Sequence, residues 1–105
     1  MSFFSDVVSS APRQFAEELA GKVVRQFPPS SEPQLAKKGA QRRLEGVLAP
    51  MMKDLEAFQK EHRLGWIGKA RLGNAFRWVL TEKGYSKEFV EALTEGVILN
   101  MAKRQ

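Results

Sequence analysis

Hydrophobic residues recur along most of this chain at intervals of three and four, the spacing of one face of an α-helix. The first such stretch carries an apolar residue at every fourth position: Phe15, Leu19, Val23 and Phe27. This pattern predicts a helix over about 12–27. No stretch alternates apolar and polar residues with the two-residue period of a half-buried strand, so we expect an all-α protein.

The second periodic stretch extends on both sides of Pro50. Its apolar face comprises Ala36, Ala40, Leu44, Val47 and Leu48 before the proline, and Met51, Leu55, Phe58 and His62 after it. A helical step of 100° per residue, carried through Pro50, leaves the two faces within about 20° of each other. This agreement favours one long helix, about 33–63, with a kink where the Pro50 ring crowds the carbonyl of Gly46. The alternative is a pair of helices broken at Ala49 and Pro50.

A proline- and serine-rich linker, 28–33, separates the first two helices within a single all-α domain, 1–105. Adjacent prolines end a helix, whereas Pro33 suits the first turn of the next one, with Ser31 as its N-cap. Residues 1–11 form a possible N-terminal arm. Four apolar residues of the arm are possible oligomer contacts: Phe3, Phe4, Val7 and Val8.

Two further helices are predicted over about 66–83 and 87–103, which gives a small bundle of four to five helices. The residues between them carry local signals for a tight connection. Gly84 suits a left-handed C-cap, Tyr85 suits the hydrophobic position that follows it, and Ser86 suits the N-cap of the last helix.

The segment 80–93 looks like a helix-turn-helix, and its Lys-Gly-aromatic-Ser turn resembles the turns in the three-helix repeats of RecX-type recombination regulators. The match covers about fourteen residues and the other helices do not extend it, so the function of that family is not carried over. The outer face of the last helix also argues against DNA reading, because its carboxylates would repel phosphates. These carboxylates are Glu88, Glu91 and Glu95.

Composition excludes several kinds of chemistry. The chain has 105 residues with no Cys, which excludes disulfides, cysteine–zinc sites, iron–sulfur clusters and a thiol nucleophile. Its one histidine, His62, lies on the apolar seam of the second helix, where packing at the helix end explains it better than general base catalysis. Because no nucleophile motif or phosphate-binding loop accompanies it, we expect a non-enzyme without metal or cofactor.

The apolar stretches do not predict membrane insertion. Residues 1–11 contain no basic residue, and polar residues interrupt their apolar positions, unlike a secretory signal. No apolar run approaches the roughly 20 residues of a membrane-spanning helix. We therefore expect a cytoplasmic protein with no membrane span.

The charge is basic and unevenly distributed. Seventeen Lys and Arg residues stand against twelve Asp and Glu, and the net charge of +5 favours an acidic partner such as nucleic acid or an acidic protein. Residues 37–77 alone carry ten basic and four acidic residues. The candidate binding residues in this part are Lys38, Arg42, Arg43, Lys69, Arg71, Asn74, Arg77 and Trp78.

Trp78 can be interpreted in two ways. It shares a stripe with Ile67 and Arg71 on the side of its helix opposite Leu72 and Phe76. If the helix is central and buries both faces, Trp78 belongs to the core. If it is not, Ile67 and Trp78 anchor an interface with charged residues at its rim, a composition typical of binding hot spots.

The leading hypothesis is a small, basic, non-catalytic protein with an accessory or regulatory role. It would contact nucleic acid mainly through backbone charge, with little sequence readout. The alternative is a protein–protein interaction module or homodimeric helical adaptor without a nucleic-acid role.

Overall fold

A computed structural model of the chain describes residues 9–103, apart from the side chains of Lys38 and Lys103. The elements in chain order are helix α1 (Ala11–Gln26), a 3-10 helix (Pro29–Ala36), and helices α2 (Lys38–His62), α3 (Trp66–Lys83) and α4 (Lys87–Lys103). Residues 9–103 contain no strand, which confirms the small all-α bundle. The arm residues Phe3, Phe4, Val7 and Val8 lie outside the described part.

Helix α3 is the middle helix of the bundle, because it packs along both α1 and α4. Helix α2 packs against α1, α4 and the 3-10 helix. The apolar faces predicted from the sequence meet in one core, which contains the four-residue series of α1 and the inner face of α3. The largest fully buried side chains include Leu19, Phe27, Leu55, Phe76 and Leu80.

The second helix begins at Lys38, five residues later than the sequence predicts. The segment expected to be a linker is instead the 3-10 helix, and Pro33 lies inside it. Its hydrogen bonds span three residues, as in the bond from the Lys37 amide to the Gln34 carbonyl at 2.9 Å. Lys37 then adopts an extended backbone conformation, which separates the 3-10 helix from α2.

Helix α2 continues through Pro50, so the chain has the long helix and not the broken pair. Gly46, whose carbonyl faces the proline ring four residues later, is exposed and has open space where a side chain would begin. Among the described residues, no neighbouring side chain at Gly46 therefore opposes the change in backbone geometry that the Pro50 ring requires.

The connection between α3 and α4 follows the local signals closely. Gly84 has a φ of +104°, the left-handed conformation that glycine adopts without strain. The hydroxyl of Ser86 accepts a hydrogen bond from the Phe89 amide at 3.1 Å and so caps α4. For these reasons α3 ends and α4 begins where the sequence predicts.

A long-range clamp holds this connection against the 3-10 helix. The Glu32 carboxylate accepts hydrogen bonds from the Ser86 amide at 2.9 Å and from the Ser86 hydroxyl. The Tyr85 hydroxyl donates to the Phe27 carbonyl at 2.6 Å. Burial of the Tyr85 ring raises its pKa to about 12, with a further contribution from the negative charge of Glu32. The clamp thus ties the segment after α1 to the connection between α3 and α4.

Candidate interaction surface

The outer face of α3 is uncovered in the described part of the chain. Trp78 projects from it and is 64% exposed, which excludes the interpretation that this indole belongs to the core. Helix α3 is indeed central, but α1 and α4 pack on its flanks and α2 packs against those two helices. Its inner face, with Phe76 fully buried, is therefore enclosed, while no described residue covers Trp78 on its outer face.

A groove between α1 and α3, with a volume of about 500 Å³, lies beside the exposed indole. Its side chains include Arg13 and Glu17 from α1, and Asn74, Trp78 and Thr81 from α3. We call this the Trp78 groove. Because it has one cation and one carboxylate on its α1 edge, that edge carries no net charge.

A second groove, with a volume of about 450 Å³, lies between α3 and α4. It is lined by Arg77, Glu91, Glu95, Ile98 and Leu99, and we call it the Leu99 groove. Leu99 is 55% exposed and Ile98 is 41% exposed, so the groove has an accessible apolar wall. The two grooves together form the Trp78 face.

Arg77 lies between the two grooves and is engaged within the molecule. Its Nε lies 3.1 Å from a carboxylate oxygen of Glu91, and its Nη1 donates to the Asn74 side chain at 3.3 Å. The charge of Arg77 is thereby balanced on the Trp78 face. Glu95 forms no ion pair with any residue of the described part, so the α4 edge of the face is acidic.

Arg71 is half-buried and holds α3 to the start of α1. Its Nη1 donates to the Ser9 carbonyl at 2.9 Å, a contact between residues that are 62 positions apart. The structure thus places Arg71 in an internal contact, although the sequence suggests an open binding position. Ile67 and Lys69 are also half-buried.

The basic residues of α2 form a separate group. Arg42 and Arg43 are exposed near the start of this helix, and the Arg43 guanidinium lies 5.6 Å from the centre of the Phe27 ring. Neither arginine forms an ion pair within the described residues. Arg42 and Arg43 line neither groove of the Trp78 face.

A third depression, of about 480 Å³, lies between α1 and α2. The Phe58 ring stacks there on Phe15 at a centroid distance of 4.1 Å, and it contacts the His62 ring, tilted by 33°, at 4.2 Å. The nearby Asp54 carboxylate pairs with Lys22 at 2.7 Å. His62 therefore packs at the helix end, as expected, and residues 9–103 contain no group of three His, Asp or Glu side chains placed to hold a metal ion.

Sequence reasoning identified Trp78 but missed the apolar wall of the Leu99 groove. Ile98 and Leu99 follow the buried Val97, so all three read as one apolar run. Ile98 packs over Gly73, where an added side chain would come within 3.1 Å of it, and it is still 41% exposed. The sequence carries no local signal that distinguishes these two residues from Val97.

No helix in residues 9–103 is long and apolar enough to cross a membrane. Comparisons of the chain with protein-family models, curated proteins and solved structures found no match.

Proposed function

We propose that this protein is a non-catalytic, cytoplasmic interaction module that binds a protein partner through the Trp78 face. The observation that carries the proposal is the exposed indole of Trp78, which projects from the helix that packs along both α1 and α4. Covering an indole removes a large apolar area from water, at about 25 cal/mol per Å². Trp and Arg are also the residues that most often dominate binding energy at interfaces.

The charges around Trp78 favour a protein partner over nucleic acid. Arg77 is paired with Glu91, the α1 edge is neutral, and Glu95 adds an uncompensated negative charge. A phosphate backbone would meet net repulsion on the α4 side of this face. Apolar residues with a mixed polar rim are instead typical of protein interfaces.

The experiment uses the two exposed tryptophans of α3 as a matched pair. Trp66 is 77% exposed but lines neither groove, so Trp66→Ala removes an indole without altering the Trp78 face. Immobilised wild-type protein, Trp78→Ala and Trp66→Ala are compared for proteins retained from a lysate of the source cells. A retained protein is then purified and its affinity for each variant is measured by calorimetry.

We expect Trp78→Ala to weaken binding by about 30-fold, the effect of a hot-spot residue, and Trp66→Ala to change it less than about threefold. Equal affinity of the purified partner for wild type and Trp78→Ala would contradict the proposal. Circular dichroism of both variants verifies that the helices are intact.

Nucleic-acid binding through the start of α2 is the second candidate. It is favoured by the exposure of Arg42 and Arg43 and by their lack of ion pairs within the described residues. The test titrates fluorescent single-stranded DNA, duplex DNA and RNA at two salt concentrations. We expect Arg42→Ala with Arg43→Ala to lower the slope of log affinity against log salt by about 1.5 to 2.

The double variant Arg71→Ala with Arg77→Ala is the matched control for this candidate. Both of these arginines have internal hydrogen-bond partners, so we expect their removal to leave the salt slope nearly unchanged. A larger loss in this control would favour the wider surface that the sequence suggests. Absence of binding to all three nucleic acids at low salt would reject the candidate.

A further inference from the structure

We infer that the occupant of the Trp78 face is a second copy of this chain, with the indole of each copy inserted into the Leu99 groove of the other. The inference rests on the proposed function, because it names a partner for the same face. It follows from the chemical complementarity of Trp78 and the Leu99 groove, and from their positions on the two sides of α3.

The indole and the Leu99 groove are chemically complementary. Trp78 presents a large apolar ring with a single N–H donor. The groove presents an apolar wall, formed by Ile98 and Leu99, and the carboxylate of Glu95 at its edge. Because Glu95 has no ion pair within the described residues, its oxygens remain available to accept the indole N–H. Within the described part of the isolated chain the indole has neither an apolar cover nor a hydrogen-bond acceptor, and the Leu99 groove offers both.

Their placement permits a symmetric pair. The Trp78 groove lies between α1 and α3, and the Leu99 groove lies between α3 and α4. Arg77 lines both grooves. A two-fold axis running between Trp78 and the Leu99 groove, along α3, therefore places each indole in the groove of the other copy. It also brings α1 of one copy beside α4 of the other. Since the α1 edge, with Arg13 and Glu17, is neutral, it does not repel the acidic edge of α4.

The expected affinity is modest. The contact is confined to one face of a small bundle, below the area of a tight obligate dimer, but two indoles contribute hot-spot burial. We expect a dissociation constant on the order of 10 µM. Sedimentation equilibrium between about 1 and 500 µM therefore resolves monomer and dimer of the intact chain.

The first experiment compares wild type with four single variants. Wild type and Trp66→Ala are expected to dimerise equally. Trp78→Ala removes the indole, and Leu99→Glu adds a third carboxylate to Glu91 and Glu95 in the groove, so both variants are expected to remain monomeric. Glu95→Gln keeps an acceptor of similar shape without its charge and is expected to weaken the dimer about fivefold. Circular dichroism confirms that these surface variants fold.

The second experiment mixes Trp78→Ala with Leu99→Glu. The first variant retains an intact groove and the second retains an intact indole, so a mixed dimer regains one of the two insertions. We expect the mixture to associate more weakly than wild type, while each variant alone stays monomeric. Fluorescent labels of two colours on the two variants report this association directly.

Wild type that remains monomeric at 500 µM would overturn the inference, as would a dimer that survives Trp78→Ala. A wild-type dimer whose complementary variants fail to associate would also overturn it, because the indoles would then stack on each other or another surface would form the contact. These failures are distinct from failure of the proposed function, which fails only if no protein retained from the lysate, this chain included, loses affinity on Trp78→Ala.

Discussion

Tyr85 and Trp78 are aromatic residues only seven positions apart, but the bundle buries the first and leaves the second exposed. The Tyr85 ring is 6% exposed and its hydroxyl is bonded to the Phe27 carbonyl, whereas Trp78 is 64% exposed and its indole has no hydrogen bond within the described residues. The turn containing Tyr85 is thus completed by the chain itself, and the Trp78 face is not. The buried tyrosine contributes to stability, whereas the exposed indole is the feature on which the proposed binding surface rests.

The contrast between buried and exposed aromatic residues predicts its largest effect on stability within α3 itself. Phe76 is fully buried on the inner face of the helix that carries Trp78. Phe76→Ala is expected to lower the free energy of unfolding by about 3–5 kcal/mol, because it leaves a cavity in the core. Trp78→Ala is expected to change it by less than about 0.5 kcal/mol, since the indole contributes little to the packed interior. Urea unfolding followed by circular dichroism measures both.

If Trp78→Ala were as destabilising as Phe76→Ala, the outer face of α3 would be part of the core and the comparison would fail. Trp66→Ala serves as the control for loss of an exposed indole from the same helix.

Substitutions in the clamp between Glu32 and Ser86 should have the next largest effect on the free energy of unfolding. Ser86→Ala removes both the cap of α4 and a hydrogen bond to Glu32, so we expect a loss of about 1–2 kcal/mol. Glu32→Gln weakens the charged acceptor of the Ser86 amide and should cost about 1 kcal/mol. Chemical denaturation of the two single variants and the double variant measures their coupling.

Because Ser86→Ala removes a hydrogen bond to Glu32 that Glu32→Gln already weakens, the double variant should lose less than the sum of the two single losses. Fully additive losses would show that Glu32 and Ser86 act independently, contrary to the clamp.

The Tyr85 hydroxyl should have a smaller effect with a characteristic pH dependence. Tyr85→Phe removes its bond to the Phe27 carbonyl, and we expect a loss of about 1 kcal/mol at neutral pH. The pKa of Tyr85 is raised to about 12 in the folded chain, against 10 when exposed, so the unfolded state loses this proton first. The contribution is therefore complete below pH 10 and is lost as the pH rises toward 12.

Thermal unfolding of wild type and Tyr85→Phe at pH 8 and at pH 11 compares the two conditions. The difference in stability should shrink at the higher pH, and a difference that grows would contradict this account.

The smallest expected effect is a gain in stability, on substitution of Thr94. Thr94 is fully buried in α4, and its hydroxyl has no hydrogen-bond partner within the described residues. Thr94→Val keeps the shape of the side chain and removes the unpaired polar group, so we expect the free energy of unfolding to rise by up to about 1 kcal/mol. A loss of more than about 1 kcal/mol, measured by urea unfolding, would show that the hydroxyl is bonded.

The fold was predictable where its signals are local. Gly84 and Ser86 determine the ends of α3 and α4 by their own backbone and side-chain chemistry, and the sequence bounds match the structure there. The start of α2 was not predictable in this way. The segment before α2 is bonded through Glu32 to Ser86, 54 positions away, and no periodicity in the segment itself predicts that contact.

The candidate site shows the same limit. Helical spacing places Trp78 opposite the inner face of α3, but whether that side is covered depends on where α2 packs. Arg71 looked equally available in the sequence, and the structure engages it with the carbonyl of Ser9, which lies 62 positions earlier. Residue type and spacing identified the side chains, whereas tertiary contacts decided which of them remain free to bind.

The most direct test is the fluorescence of Trp78 in a Trp66→Phe variant, where it is the only tryptophan. We predict emission close to that of tryptophan in water, with efficient quenching by acrylamide, in dilute protein. We also predict a shift to shorter wavelength with reduced quenching when the concentration rises or a purified partner is added. Short-wavelength, poorly quenched emission from the dilute monomer would mean that the chain itself covers Trp78, and would contradict the central claim that this face is left open for a partner.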